Sequence, residues 1–162
     1  MSQPATLLDV SISYGVPRAG IPSAVSFRRW VAAALDGRIR RADLAIRLVD
    51  AKEGRAFNRH YRGKDYATNV LSFPADAAEG VKLPKGVKMP LLGDLVICAP
   101  VVAKEAKEQG KALNDHYAHL TVHGALHLLG WDHEDDRDAE CMEALEREIL
   151  AGLGIEDPYR AQ

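Results

Sequence analysis

Three histidines, His123, His127 and His133, stand at offsets 0, 4 and 10 in the run HGALHLLGWDH. In a helix, residues i and i+4 share one face about one turn apart, so His123 and His127 can close on a single ion. Gly130 can take the positive φ that ends a helix, letting the chain turn back and bring His133 to the same point. Three neutral imidazoles with a fourth position open make a catalytic zinc site, in which bound water becomes acidic enough to attack. The expectation is a metal-dependent hydrolase with one zinc ion per chain. Nickel, copper or iron also suit such a set.

His119 extends the histidine stripe to i, i+4, i+8. Along a straight helix His119 and His127 would stand about 12 Å apart, a poor match to zinc–nitrogen bonds of about 2.0–2.1 Å. His133, returning through the Gly130 turn, is therefore the expected third ligand in preference to His119. Ala118, Val122, Ala125, Leu126 and Leu129 form an apolar arc beside the stripe, so one helix face can sit in the core while the next lines a cleft. Without a metal the same histidines would be ordinary core or surface imidazoles. The position after His123 is Gly124, where zinc peptidases carry the glutamate that moves protons. The ligand spacing resembles that of a metzincin with its base missing, and peptide hydrolysis loses its main support. Asp132 could orient a ligand imidazole or cap the following helix.

On the helix expected from Ala51, Lys52, Arg55, Arg59 and Arg62 fall at offsets 0, 3, 7 and 10, an arc of about 80°. The arginine fork suits phosphate oxygens, and His60 and Tyr61 could add hydrogen bonds or base stacking. A solvated helix face accounts for the pattern equally well. The net charge of −2 hides an uneven spread: residues 1–64 carry 12 Lys and Arg against 5 Asp and Glu, and residues 65–162 carry 9 against 18. That asymmetry is compatible with nucleic acid on one surface only.

The elements that must position these groups follow from periodicity and punctuation. Strands are expected at Thr6–Ser13, Leu44–Val49, Asn69–Phe73 and Leu91–Cys98, the last two as possible partners. Helices are expected from a Ser23 N-cap to Gly37, over Ala51–Tyr61 with Phe57 and Tyr61 facing the core, and from Pro100 toward Gly110. Two more follow, His116–Leu129 with Asp115 as its cap, and Asp135–Ala151 with Met142, Leu145 and Ile149 as its buried stripe. Residues 75–90, broken by Pro84, Gly86 and Pro90, read as an exposed loop or hairpin connection. The order βαβαββααα describes an α+β fold with α/β-like features, a small mixed four-stranded sheet packed with about five helices. At 162 residues the expectation is one metal-dependent hydrolase domain spanning 1–162. Hydrophobic residues make up 47% and charged residues 27% of the chain, ordinary globular values. No run approaches the ~18–20 apolar residues of a membrane span, so no membrane association is expected. Met1–Ala5 lacks the basic start of an export signal. Cys98 and Cys141 fall in apolar patterns and read as buried thiols in a reducing compartment, the cytoplasm.

With these residues in place, the chain resembles the bacterial YbeY family of endoribonucleases, also called rRNA maturation factors. The family signature HGxLHLxGYDH appears as HGALHLLGWDH, with Trp131 for the usual tyrosine. The signature NxxYRGKDxPTNVLSFP appears from Asn58 to Pro74, with Ala67 for proline, and LLGDIVI appears as LLGDLVI from Leu91 to Ile97. The three motifs come in family order, and the likeness covers nearly the whole chain. The resemblance implies a zinc-dependent, single-strand-specific endoribonuclease acting in rRNA processing, with small-subunit rRNA 3′ end maturation, and in ribosome quality control. It implies His123, His127 and His133 as zinc ligands and Arg62 as the functional arginine near the metal. Arg62 and a zinc-bound water would then be the catalytic pair, with Lys52, Arg55, Arg59 and Arg62 as RNA contacts. The implied partners are single-stranded RNA, the rRNA precursor, and the small ribosomal subunit with its proteins. A metallopeptidase, and a ribosome-assembly binding module with a structural zinc, are the alternatives.

Overall fold

The structure, a computed structural model, describes residues 7–39, 41–74, 91–131 and 135–159. Strands β1 (Leu7–Tyr14), β2 (Arg41–Val49), β3 (Val70–Pro74) and β4 (Leu91–Cys98) form one sheet in the order β1-β2-β4-β3. β1 and β4 run parallel to β2, and β3 pairs antiparallel with β4, Val70 opposite Ile97. Helices α1 (Ala24–Leu35), α2 (Ala51–Arg62), α3 (Ala99–Glu108), α4 (Leu113–Leu128) and α5 (Asp136–Gly152) complete the order βαβαββααα that the sequence led us to expect. Among the described residues, no helix is long and apolar enough to cross a membrane.

The alternation in β2 buries Ala42, Leu44, Ile46 and Leu48 on one face. Central β4 is apolar on both faces, as a strand covered from two sides must be. Leu95 and Ile97 join the main core with α1, α4 and α5. Val96 and Cys98 join a smaller cluster with Val49 and Leu71, onto which Phe57 of α2 packs. The sheet thus separates α2 from α4. Ser23 caps α1, accepting from Ser26 N–H at 3.3 Å, and Asp50 caps α2, accepting from Glu53 N–H at 2.8 Å.

Several local expectations are corrected. Tyr61 is exposed, not core-facing: α2 is anchored by the buried Gly54 and Asn58, and Tyr61, in its last turn, lies along Phe57 and Phe73 with its outer side in water. Cys98 is buried as expected, but Cys141 is exposed. It lies one residue before Met142, about 100° around the helix from the buried stripe. α4 starts at Leu113, which puts Asp115 inside its first turn instead of at its cap. The stripe of α5 contains Met142 and Ile149, while Leu145 is only partly buried and Glu146 is buried outright. The loop expected at 75–90, and the positions Thr6, Asp132 and His133, lie outside the described residues.

Candidate metal centre

Helix α4 lies close against the sheet because Gly124 has no side chain. A Cβ there would stand 2.8 Å from Leu95 Cδ2 and 3.4 Å from Ser72 Oγ. The Ser72 hydroxyl donates to the Gly124 carbonyl at 3.3 Å. The glycine that the sequence marks as a missing catalytic base is therefore a contact point between helix and strand.

The adjoining stripe, His119, His123 and His127, meets α5 and the segment after it. His123 Nε2 and His127 Nε2 face each other at 3.0 Å, as two ligands converging on one cation would. His123 Nδ1 is bound to Glu146 Oε1, and the Tyr159 hydroxyl donates to Glu146 Oε2 at 2.5 Å. His119 Nε2 is 3.1 Å from the Tyr159 oxygen and 3.7 Å from Glu146 Oε1. The Glu146 side chain is 0% exposed. Burial pushes its carboxyl upward, but the His119 and His123 imidazoles and the Tyr159 hydroxyl outweigh that and hold it down at about 2. The Tyr159 hydroxyl is driven above its usual range, by burial first and then by the carboxylate it serves.

An ionised carboxylate only accepts, so the proton of His123 sits on Nδ1. In the neutral imidazole that a metal ligand requires, the lone pair is then on Nε2, the nitrogen that faces His127, and a carboxylate behind a ligand imidazole is the usual orienting partner. The donor set fits a divalent cation. A second grouping is also present: donor atoms of His119, His123 and Glu146 all lie within 4.8 Å of one another and could hold a metal ion.

Sequence reasoning missed Glu146 and Tyr159. The first had a signal, an acid on the stripe between Met142 and Ile149, where an apolar residue would be expected. Tyr159 had none, because it reaches the site only through tertiary folding.

The remaining groups are dispersed. His116 is buried, with Nε2 2.9 Å from Glu105 Oε1, and Glu105 also accepts from Asn69 Nδ2 at 3.0 Å. Burial pulls the His116 imidazole below its ordinary value, against the opposing pull of Glu105. Lys52, Arg55, Arg59 and Arg62 are all exposed on α2, as a shared face requires. Arg55 is tied to Asp65 by two bonds of 2.8 Å. Arg62 is exposed in the last turn of α2, next to Tyr61, whose ring packs on Phe73 of the edge strand β3.

The family described as Endoribonuclease YbeY matches residues 23–154. A protein named Endoribonuclease YbeY from Stenotrophomonas maltophilia is 78% identical over 162 residues, covering 100% of this chain and 99% of its own. A protein of the same name from Xanthomonas axonopodis pv. citri is 74% identical with the same coverage. The solution structure of TM1509 from Thermotoga maritima has the same fold, with a TM-score of 0.57 at 21% identity over 94% of this chain and 100% of that one.

Proposed function

The chain belongs to the endoribonuclease YbeY family, and on that premise we propose that it is a zinc-dependent endoribonuclease that cuts single-stranded RNA. Its role is rRNA processing at the small-subunit 3′ end and ribosome quality control, carried out in the cytoplasm on the small ribosomal subunit. Residues 1–162 act as one domain. The observation that carries the metal reading is the pair of Nε2 atoms 3.0 Å apart on His123 and His127, with His123 held from behind by Glu146. His133, ten residues after His123, is the proposed third ligand.

Bound there, zinc supplies a Lewis acid for the scissile phosphodiester. His123 and His127 hold it, and Glu146 keeps the His123 ring in the ligating tautomer. Arg62, from the basic face of α2, offsets charge developing on phosphorus, and Lys52, Arg55 and Arg59 bind the RNA backbone beside it. Gly124, pressed against Leu95 and Ser72, has no room for the glutamate of a zinc peptidase. Attack by the 2′-hydroxyl of the RNA fits a site with no protein base at that position.

The test is cleavage of a small-subunit rRNA 3′ precursor, single-stranded or annealed to a complementary strand, with and without a chelator. The expected result is cutting of the single strand alone, lost with the chelator and restored by zinc, with casein untouched. Casein cleavage with RNA intact, or unchanged RNA cutting after the metal is stripped, overturns the proposal.

A further inference from the structure

The segment after α5 doubles back and brings Tyr159 against the histidine stripe. Gly154, at φ 78°, closes the helix; Ile155 N–H donates to the Leu150 carbonyl at 2.9 Å, and Leu153 and Ile155 pack on the core. Lys111 Nζ donates to the Pro158 carbonyl at 2.9 Å. Asp157 accepts from Arg147 Nε at 3.1 Å and from Tyr159 N–H at 2.8 Å. The Arg147 guanidinium lies 5.3 Å from the centre of the Tyr159 ring. These ties hold the phenol oxygen between Glu146 and His119. The family match ends at residue 154, so Tyr159 lies beyond it.

Two donor sets compete around His123: its Nε2 with His127, or its grouping with His119 and Glu146. We propose that Tyr159 is a positioning residue that selects the first set, by engaging His119 Nε2 and Glu146 Oε2 with one hydroxyl. The inference rests on the reading that His123 and His127 hold the metal. The phenol has a single proton, which goes to the carboxylate, so His119 donates to the phenol oxygen. His119 Nε2 then stays 3.7 Å from Glu146 Oε1, outside hydrogen-bond reach. Oε1 is left to His123 Nδ1–H, and the His123 lone pair stays with His127. Without the hydroxyl, His119 closes on the carboxylate, draws it from His123, and exposes the metal to the second set.

The experiment uses Tyr159→Phe, which keeps the ring against Arg147 and removes only the hydroxyl. Zinc affinity is read by competition with a chromophoric chelator, and the ligand set by the visible absorption of the Co2+-loaded protein. The expected result is zinc binding weaker by about 10- to 100-fold with a changed Co2+ spectrum, and a spectrum returned toward the parent's when His119→Ala is added. Parent-like affinity and spectrum overturn the inference, even if the metal-free protein melts earlier. Should Tyr159→Phe not fold, a chain shortened to end at Pro158 is measured in the same way, with the same two outcomes. His127→Ala separates this inference from its premise. Zinc lost in His127→Ala but unaltered in Tyr159→Phe sinks the Tyr159 role alone; zinc retained in His127→Ala sinks the metal reading and the inference with it.

Discussion

The Glu146 carboxylate sits where a leucine would serve packing better, and its ionised state depends on its hydrogen bonds from His123 and Tyr159 and on the nearby His119 imidazole. With its pKa held at about 2 against an ordinary 4.5, its stabilising contribution is complete above about pH 4.5 and lost as pH falls toward 2. His116 acts in a higher window. Burial keeps its folded-state pKa below the ordinary 6.5, so the unfolded chain takes up a proton that the folded chain refuses. Stability therefore falls as pH drops below about 6.5. Thermal melts should show the parent protein losing more between pH 7.5 and 5.5 than His116→Gln does; parallel losses in both would remove His116 as the cause. Glu146→Gln leaves the shape of the side chain but weakens the hold on His123, and zinc affinity should drop about 10- to 100-fold, measured by chelator competition. Unchanged affinity would show that the carboxylate does not govern the ligand. His123 and His127 were legible in the sequence because one helix turn fixes their relation before any tertiary contact forms. Glu146, 23 residues from His123 in the chain, was not, since only the docking of α5 on α4 brings the two together.

The elements themselves carried strong local signals. The alternation of β2, the capping side chain of Ser23 and the turn glycines gave the order of strands and helices. What periodicity did not give was the extent of burial at a helix end, which is why Tyr61 departs from expectation. It also did not give the close approach at Gly93, whose φ is 146°. A Cβ there would stand 2.3 Å from the Phe73 carbonyl oxygen and 2.9 Å from Leu128 Cδ2, so β3, β4 and α4 meet at that atom. Gly93→Ala should cost about 3 kcal/mol or more through backbone strain and overpacking, a fall in Tm on the order of 10 °C. A melt unchanged from the parent's would refute that packing. The basic face of α2 makes a separate prediction. Arg59→Ala should weaken single-stranded RNA binding and reduce the salt slope of log K by about 0.7 for each phosphate left without its cation. Arg55→Ala should do less, because Arg55 already serves Asp65. Equal effects in filter-binding titrations would mean that the Arg55–Asp65 pair opens on RNA.

In the molecule as a whole, the sheet lies between the basic side chains of α2 and helices α4 and α5, and the end of α2 meets the edge strand β3 through Tyr61 and Phe73. The fold class and family were readable from motifs that run nearly the length of the chain. The union of the histidine stripe with Glu146 and Tyr159 was not, because it depends on how the last helix and its tail return to α4. The most direct test of the metal centre is zinc content and RNA cleavage measured on the same preparations of the parent chain and His127→Ala. The parent should hold one zinc per chain and cut single-stranded RNA, and His127→Ala should lose both together; a His127→Ala protein that keeps its zinc and its cutting rate would contradict the account.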